Sequence, residues 1–267
     1  MTDALAAALA RGPILLDAAM GTRLIARGLD LAREDPSLWV LDHPDEVAAI
    51  HRRDVAAGSD AVLTDTFGAT RAWLARFGRA ADSPRICSAA ATMARQAAGP
   101  GRLVFGSIGP AASDDPAALI EQAEALAGGG VDALLLETHR PDQALAALDL
   151  LQFLGRPVLA SLHSWPEPAD EVADLARRLA GAGAVAIGGN CLPGVDSALT
   201  LARRLRGTTD LPLLLKPAAG LPGQTLDVPG AFAAALPEWL RLGVRLVGGC
   251  CGTTEAHVGA LRRVLDT

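Results

Sequence analysis

Eight short apolar runs alternate with helix-length segments along this chain of 267 residues. Each run is rich in leucine, alanine or β-branched residues and ends in small or polar residues. Continuous apolar runs with helices between them are typical of a parallel sheet that is buried on both faces. The predicted strands are residues 14–19, 61–67, 103–109, 133–138, 157–163, 184–190, 212–218 and 245–250.

The segments between the runs have the pattern of amphipathic helices. Their apolar residues recur at three- and four-residue spacing, which gives each helix one stripe to pack on the sheet. The predicted helices are residues 46–57, 117–127, 143–154, 171–180, 197–205, 231–242 and 255–265. Side chains that can cap helix N-termini stand at Asp45, Asp115, Asp142, Asp170 and Thr254.

Eight βα units predict a (β/α)8 TIM barrel of parallel strands, with the active site at the C-terminal ends of the strands. Barrels of this kind commonly have ~250 residues, so we expect a single domain over residues 1–267. Residues 1–12 form its N-terminal helix and residues 13–267 its barrel. The alternative is an open doubly wound sheet, which is disfavoured because no G-x-G-x-x-G loop follows the first run.

Three of the four cysteines lie at the ends of predicted strands. Cys191 follows the sixth run, and Cys250 and Cys251 end the eighth run in a Gly-Gly-Cys-Cys-Gly sequence. Adjacent Cα atoms are ~3.8 Å apart, below the usual ~4.4–6.8 Å range of a disulfide, so the neighbouring pair could bond only with strain. Strands six and eight end at the same mouth of a barrel, which places the three sulfurs close enough to share one ion.

Three thiolates with one open position describe a catalytic zinc site. A free thiol has a pKa of ~8.5 and is mostly protonated at neutral pH, whereas coordination to a metal removes its proton. The expected chemistry is therefore attack by a substrate thiolate on a methyl group carried by a cationic sulfur, nitrogen or corrinoid centre. The alternative is that these cysteines are small buried hydrophobic residues.

Three segments carry the most informative motifs: Leu-Asp-Ala-Ala-Met-Gly-Thr at 16–22, Gly-Asn-Cys at 189–191, and Gly-Cys-Cys-Gly-Thr-Thr-Glu-Ala-His at 249–257. Together they resemble the zinc-dependent homocysteine S-methyltransferases. That family includes betaine homocysteine methyltransferase, stand-alone S-methylmethionine enzymes and the first module of cobalamin-dependent methionine synthase. The resemblance extends from about residue 13 to residue 265. It implies zinc on Cys191, Cys250 and Cys251, with homocysteine as the thiol and methionine as the product.

An amino-acid substrate needs an acid for its ammonium group and donors for its carboxylate. Asp17 and Glu137 match the acids that the family has at the ends of its first and fourth strands. The backbone N–H groups from Ala18 to Gly21 are the expected donors to the carboxylate. His163 is interpreted as part of the pocket wall, with a fourth metal ligand as the alternative.

Three positions depart from the family pattern and alter the polar lining of the pocket. Ala18 stands where the family has glycine, and Asp65 and Ala218 stand where it has asparagine. Of the other candidates, His257 is interpreted as a packing group, and Lys216 could point into the barrel mouth.

Composition excludes some classes of function. The formal net charge is −6 and no arginine-rich block stands clear of acids, which argues against a nucleic-acid partner. No apolar run reaches the ~18 residues of a membrane helix, and an acid near the N-terminus does not suit a secretion signal. We therefore expect a cytoplasmic protein with free cysteines. The sequence is compatible with a homo-oligomer but does not fix the oligomeric state.

The leading hypothesis is an enzyme that transfers a methyl group from a small diffusible donor to homocysteine, with S-methylmethionine or S-adenosylmethionine favoured. One alternative is a homocysteine-binding module that acts only with a separate corrinoid or folate protein. A methyltransferase for a related small thiol is another, and a barrel whose zinc is structural or absent is the last.

Overall fold

A computed structural model describes residues 3–110, 115–220 and 227–267 of the chain. Within these ranges eight strands form one parallel sheet, which confirms the predicted (β/α)8 barrel. The strands are β1 (Ile14–Leu15), β2 (Ala61–Leu63), β3 (Leu103–Ile108), β4 (Ala133–His139), β5 (Val158–Leu162), β6 (Ala184–Pro193), β7 (Leu213–Ala218) and β8 (Val244–Val247).

One helix precedes the first strand, and at least one helix follows each strand. In the described residues they are α1 (Asp3–Arg11), α2 (Gly21–Ile25), α3 (Trp39–Asp42), α4 (Pro44–Ala57), α5 (Arg71–Leu74), α6 (Ser83–Ala98), α7 (Pro116–Gly128), α8 (Pro141–Leu151), α9 (Ala169–Gly181), α10 (Gly194–Leu205), α11 (Pro229–Arg241) and α12 (Glu255–Leu265). The described helices include no segment with both the length and the hydropathy that a membrane span requires.

The strand order is β1-β8-β7-β6-β5-β4-β3-β2, so β1 pairs with β8 while β1 and β2 form the two ends of the hydrogen-bonded sheet. Carboxylates cross this seam. The Asp60 carboxylate accepts from the Leu15 backbone N–H at 2.8 Å, and the Asp17 carboxylate accepts from the Leu63 N–H at 2.8 Å. The seam is therefore closed by side chains as well as by the Asp60 N–H, which donates to the Leu15 carbonyl.

Two layers of apolar side chains hold the barrel together. The inner layer comes from alternate strand residues, among them Phe105, Leu159 and Leu214, and all three are fully buried. Leu5 of α1 packs into this layer from the N-terminal end of the barrel. The predicted N-terminal helix thus corresponds to Asp3–Arg11, while Met1 and Thr2 lie outside the described residues.

The helix starts were only partly predicted. Asp115 and Thr254 cap α7 and α12 as expected, each accepting a hydrogen bond from the first turn. Asp45, Asp142 and Asp170 were wrong as caps, because each lies inside the first turn of its helix. In α4 and α8 a proline occupies the first helical position, where its fixed φ and missing N–H suit the start of a helix.

Candidate active site

The C-terminal ends of the strands surround a cavity of about 300 Å³. Its walls come from the residues after β1 and β2, from the ends of β3, β4, β6 and β7, and from the loop after β8. Its lining includes the six residues predicted as zinc ligands or substrate contacts: Asp17, Ala18, Glu137, Cys191, Cys250 and Cys251. It also contains the departing residue Asp65 and the lysine Lys216.

The three cysteines converge at one side of this cavity. The Sγ atom of Cys191 lies 2.7 Å from that of Cys250 and 4.0 Å from that of Cys251, and the Cys250 and Cys251 sulfurs are 4.0 Å apart. All three thiols are free, because a disulfide would require ~2.05 Å. In the described part of the chain this is the group of side chains whose ligand atoms are placed to hold a metal.

The thiol set fits a tetrahedral ion. Sulfurs bound at ~2.3 Å from zinc stand roughly 3.8 Å apart in a tetrahedron. Two of the three separations are close to this value, and the Cys191–Cys250 pair would open by about 1 Å. Three thiol donors are also the ligand chemistry that zinc prefers.

The loop that carries Cys250 and Cys251 is fixed by its backbone. The Cys250 N–H donates to the Pro217 carbonyl at 2.8 Å, and the Cys251 carbonyl accepts from the Ala219 N–H at 2.8 Å. Gly252 has φ of +80°, and a Cβ there would lie 2.3 Å from the Gly220 carbonyl oxygen. A glycine after the cysteine pair is thus required both by the backbone conformation and by the space available.

Cys191 reaches the site through a bulge at the end of β6. The register of β6 against β7 shifts between Asn190 and Leu192, and Cys191 has φ of +54°. A second bulge lies at Thr138 in β4, where φ is +64°. These are the two non-glycine residues with positive φ in the described chain, and such strained bulges re-aim side chains at functional sites.

Asn190 ties the two bulges together. Its Oδ1 accepts from the Thr138 N–H and from the Ser161 hydroxyl, both at 2.8 Å, and its Nδ2 donates to Thr138 Oγ1 at 2.8 Å. Asn190 is 2% exposed, so these bonds are shielded from water. This network holds the backbone next to Cys191 and connects it to the strand that ends in Glu137.

The three thiols shift one another's pKa values. Hydrogen bonds from Cys191 and then Cys250 lower the pKa of Cys251 to about 3. The contact with Cys250, followed by the contact with Cys251 and by burial, raises the pKa of Cys191. For Cys250 the bond with Cys191 lowers the pKa, but the contact with Cys251 and burial outweigh it and the net shift is upward. The cluster therefore carries one thiolate readily, and further deprotonation needs positive charge.

Lys216 supplies positive charge in the same wall. It is 5% exposed, and its ammonium group lies 2.6 Å from Glu137 Oε1. Glu137 Oε2 accepts from the Ser107 hydroxyl at 2.6 Å. Burial alone would lower the pKa of Lys216, but the charges of Glu137, Asp17 and Cys250 raise it, so the lysine stays protonated. From the sequence only its position at a strand end could be predicted, and its burial is stabilised by the ion pair with Glu137.

The two carboxylate oxygens of Asp17 differ in their hydrogen bonds. Oδ2 accepts from the Leu63 N–H across the seam, whereas the buried Oδ1 has no partner among the described residues. Burial raises the pKa of Asp17 to about 7, against the lowering effect of Lys216. The Ala18 N–H donates to Asp54, and the Ala19 N–H to Thr253 Oγ1 at 3.0 Å, so these two donors have partners within the protein.

Some predicted positions lie away from the cavity. His163 is exposed and lines a separate outer groove with Trp165, so the interpretation as cavity wall was wrong. His257 accepts from the Thr254 N–H at 3.1 Å, and its other ring nitrogen lies 3.0 Å from the Asp227 carbonyl oxygen. It therefore packs at the start of α12, as expected.

The structure is that of a TIM barrel with three thiols placed to hold a metal at the C-terminal ends of its strands, and comparisons with known proteins identify its family. The family model for homocysteine S-methyltransferase matches residues 14–265. The chain is 30% identical to homocysteine S-methyltransferase of Escherichia coli, over 93% of this chain and 94% of that protein. It is also 30% identical to methionine synthase of Mycobacterium tuberculosis, over 91% of this chain but only 24% of that protein's length.

Solved structures of homocysteine methyltransferase also match this chain. The metallated form of the homocysteine methyltransferase MmuM from Escherichia coli superposes with a TM-score of 0.83 at 29% identity, covering 98% of this chain and 99% of that one. The oxidised form of MmuM gives a TM-score of 0.82. The chain belongs to the homocysteine S-methyltransferase family, which confirms the resemblance drawn from the three motifs.

Proposed function

We propose that this protein is a zinc-dependent enzyme that transfers a methyl group from a small cationic donor to the thiol of homocysteine and yields methionine. The observation that carries the proposal is the convergence of three cysteine sulfurs within 4.8 Å of one another at the wall of the central cavity. Membership of the homocysteine S-methyltransferase family supports the substrate, and the metallated form of the related MmuM supports a metal.

Cys191, Cys250 and Cys251 would hold the zinc ion through their Sγ atoms. A bound zinc ion supplies the positive charge that removes the proton from an incoming thiol while leaving its sulfur nucleophilic. The protein contributes the geometry. Asn190 and the backbone bonds of Cys250 fix the ligand-bearing loops before substrate binds, which lowers the cost of assembling the site.

Polar groups in the same cavity suit the amino-acid part of the substrate. The unpartnered Oδ1 of Asp17 can accept from the ammonium group of homocysteine. Glu137 can share this role through lone pairs that Lys216 and Ser107 leave open. Met20 and Gly21 also line the cavity and take over the proposed carboxylate site, since the N–H groups of Ala18 and Ala19 have partners within the protein.

A diffusible donor is favoured because the chain aligns with nearly the whole of the Escherichia coli homocysteine S-methyltransferase, 94% of its length, whereas it aligns with only a small part of the methionine synthases. S-methylmethionine and S-adenosylmethionine are the donors to test first. The second candidate is a module that needs a corrinoid or folate partner. It is supported by the match to methionine synthases, of whose length the chain spans about a quarter.

The test is metal content read together with turnover. Purified protein should contain one zinc per chain and form methionine from homocysteine and S-methylmethionine or S-adenosylmethionine. Cys251→Ala should lose both zinc and turnover, while the matched variant Cys87→Ala, whose thiol is buried in the core away from the cavity, should keep both. Zinc-loaded protein that binds homocysteine but is inert with both donors would favour the module. Full activity after removal of metal would refute the proposal.

A further inference from the structure

Asp65 is a buried acid that the fold does not use. It follows β2, lines the central cavity and is 6% exposed. Its Oδ2 atom is buried and has no hydrogen-bond partner among the described residues. A buried polar atom without a partner costs free energy, so its presence at a ligand cavity calls for a partner that arrives from outside.

The neighbours of Asp65 all have partners within the protein. The hydroxyls of Thr64 and Thr66 lie 2.7 Å apart, and Thr66 also donates to the Ser107 carbonyl at 2.7 Å. Asp35, the nearby acid whose charge acts on Asp65, accepts from Ser37 through one oxygen and from the Trp73 indole through the other. The surrounding turn is therefore complete without Asp65.

The other two acids of the cavity serve the fold in part. Asp17 closes the seam between β1 and β2 through one oxygen, and both oxygens of Glu137 have partners. Asp65 alone among these three makes no hydrogen bond described in the structure that would explain its position. A carboxyl group that replaces an amide at this point adds an ionisable acid to the cavity, and an acid recognises a cation.

The position of Asp65 in the barrel indicates which substrate supplies the cation that it binds. The three cysteines, on β6 and after β8, lie on either side of β7, and the opposite wall of a ring of eight strands is formed by β3 with β2 and β4 beside it. In a displacement at a methyl carbon, the attacking sulfur and the leaving group lie on opposite sides of that carbon. The positively charged centre of the donor therefore lies on the side of the cavity away from the cysteines, towards the wall to which Asp65 belongs.

We infer that Asp65 is a specificity-determining residue that binds the positive charge of the methyl donor, a sulfonium or ammonium group. This inference rests on the proposed methyl transfer. It assigns the two unsatisfied acids of the cavity to different substrates, Asp17 to homocysteine and Asp65 to the donor.

Burial and the negative charge of Asp35 raise the pKa of Asp65 to about 8, so the acid is mostly protonated at pH 7 when no cation is near. A cation bound beside it favours the carboxylate and releases the proton. Donor binding should therefore be coupled to proton release. The other titratable groups facing the cavity are Asp17, Glu137, Lys216 and the three cysteines. They are unchanged in an Asp65 variant, so the difference between the two proteins reports on Asp65.

The experiment compares zinc-loaded wild type with Asp65→Asn, which keeps the shape of the side chain and removes the acid. With S-methylmethionine as donor, the variant should show a KM for the donor raised about 10- to 100-fold, as expected for loss of a charged partner. The KM for homocysteine should stay within about 2-fold of wild type, since Asp17 is intact. Asp17→Asn should raise the KM for homocysteine and leave the KM for the donor near that of wild type. Glu171→Gln, which removes an exposed acid on α9, should leave both KM values unchanged.

Calorimetry supplies a second readout that needs no turnover. Titration of S-methylmethionine without homocysteine, in buffers of different ionisation enthalpy at pH 7, should give close to one more proton released per site in wild type than in Asp65→Asn. The variant should also melt at a higher temperature than wild type at pH 8, because it no longer buries a charged acid. A folding defect would lower that temperature, which separates it from a loss of donor binding.

Three outcomes would overturn the inference. The first is an unchanged donor KM in Asp65→Asn, and the second is an increase confined to the KM for homocysteine. The third is equal proton release by the two proteins. In each of these the wild type still turns over, so the proposed function stands. A wild type that is inert with every cationic donor would refute the proposed function, and the inference with it.

Discussion

Asn190 is expected to control metal affinity without touching the metal. Asn190→Ala removes three hydrogen bonds: two partly buried bonds to Thr138 and one buried bond to Ser161. At about 1 kcal/mol each, their loss should lower the free energy of unfolding by about 3 kcal/mol. The positive φ values of Thr138 and Cys191 cost the wild type roughly 1–2 kcal/mol each, so relaxation of these residues in the variant would recover part of that loss.

Once the network is lost, the bulge at Cys191 can relax towards ordinary strand geometry, which moves one of the three sulfurs. We expect the affinity for zinc to fall about 10- to 100-fold, the range observed when groups behind metal ligands are removed. Competition with a chromophoric chelator measures this affinity, and urea unfolding measures the stability.

The matched control is Ser161→Ala. It removes one bond to Asn190 Oδ1 but leaves both bonds to Thr138, so it should cost about 1 kcal/mol and change zinc affinity less than about 3-fold. An Asn190→Ala protein that binds zinc as tightly as wild type would refute the reasoning, even if its stability fell, since the bulge would then hold Cys191 unaided.

The remaining predictions concern charge and backbone. Lys216→Met should lower the free energy of unfolding by about 3–5 kcal/mol in urea by leaving Glu137 unpaired, and adding Glu137→Gln should restore most of it; equal stability of the single and double variants would contradict this. Asp65 has a folded-state pKa of about 8 against 3.8 for a free carboxyl, so it stabilises the fold below about pH 4, and this stabilisation is lost as pH rises through 8. Unfolding free energies measured from pH 5 to 8 should therefore fall more steeply for wild type than for Asp65→Asn. Parallel curves for the two proteins would contradict the raised pKa of Asp65. Gly252→Ala should purify with little zinc, because its Cβ would meet the Gly220 carbonyl at 2.3 Å; one zinc per chain would count against this.

The sequence predicted the barrel well because its signal is repeated. All eight strands fall within or beside the eight apolar runs, since each strand must be apolar on both faces. Several runs extend past their strands, and β1 and β2 are only two and three residues long. The chain after these two strands turns inward to form the cavity wall, so its apolar residues serve the site instead of the sheet.

The site was predicted in outline. The cysteine spacing placed three sulfurs at one mouth, and the structure brings them together. The positive φ of Cys191 and Thr138 could not be read from the sequence, because neither residue type signals a left-handed conformation. The burial of Lys216 depends on an ion pair with Glu137, 79 residues away, which no local pattern reveals.

His163 was misplaced for a related reason. It directly follows β5, and a strand-end position places a residue at the mouth of the barrel without fixing the direction of its side chain. The roles of Asp17, Ala18 and Glu137, the single domain over residues 1–267 and the cytoplasmic location stay predictions.

The proposed chemistry requires three cysteine sulfurs to bind one zinc ion and to leave a position for the substrate thiol. X-ray absorption at the zinc K edge, recorded on zinc-loaded protein with and without homocysteine, tests this most directly. We expect three sulfur neighbours at ~2.3 Å from zinc without homocysteine and four with it. Fewer than three sulfur neighbours, or a number that stays the same when homocysteine is bound, would contradict it.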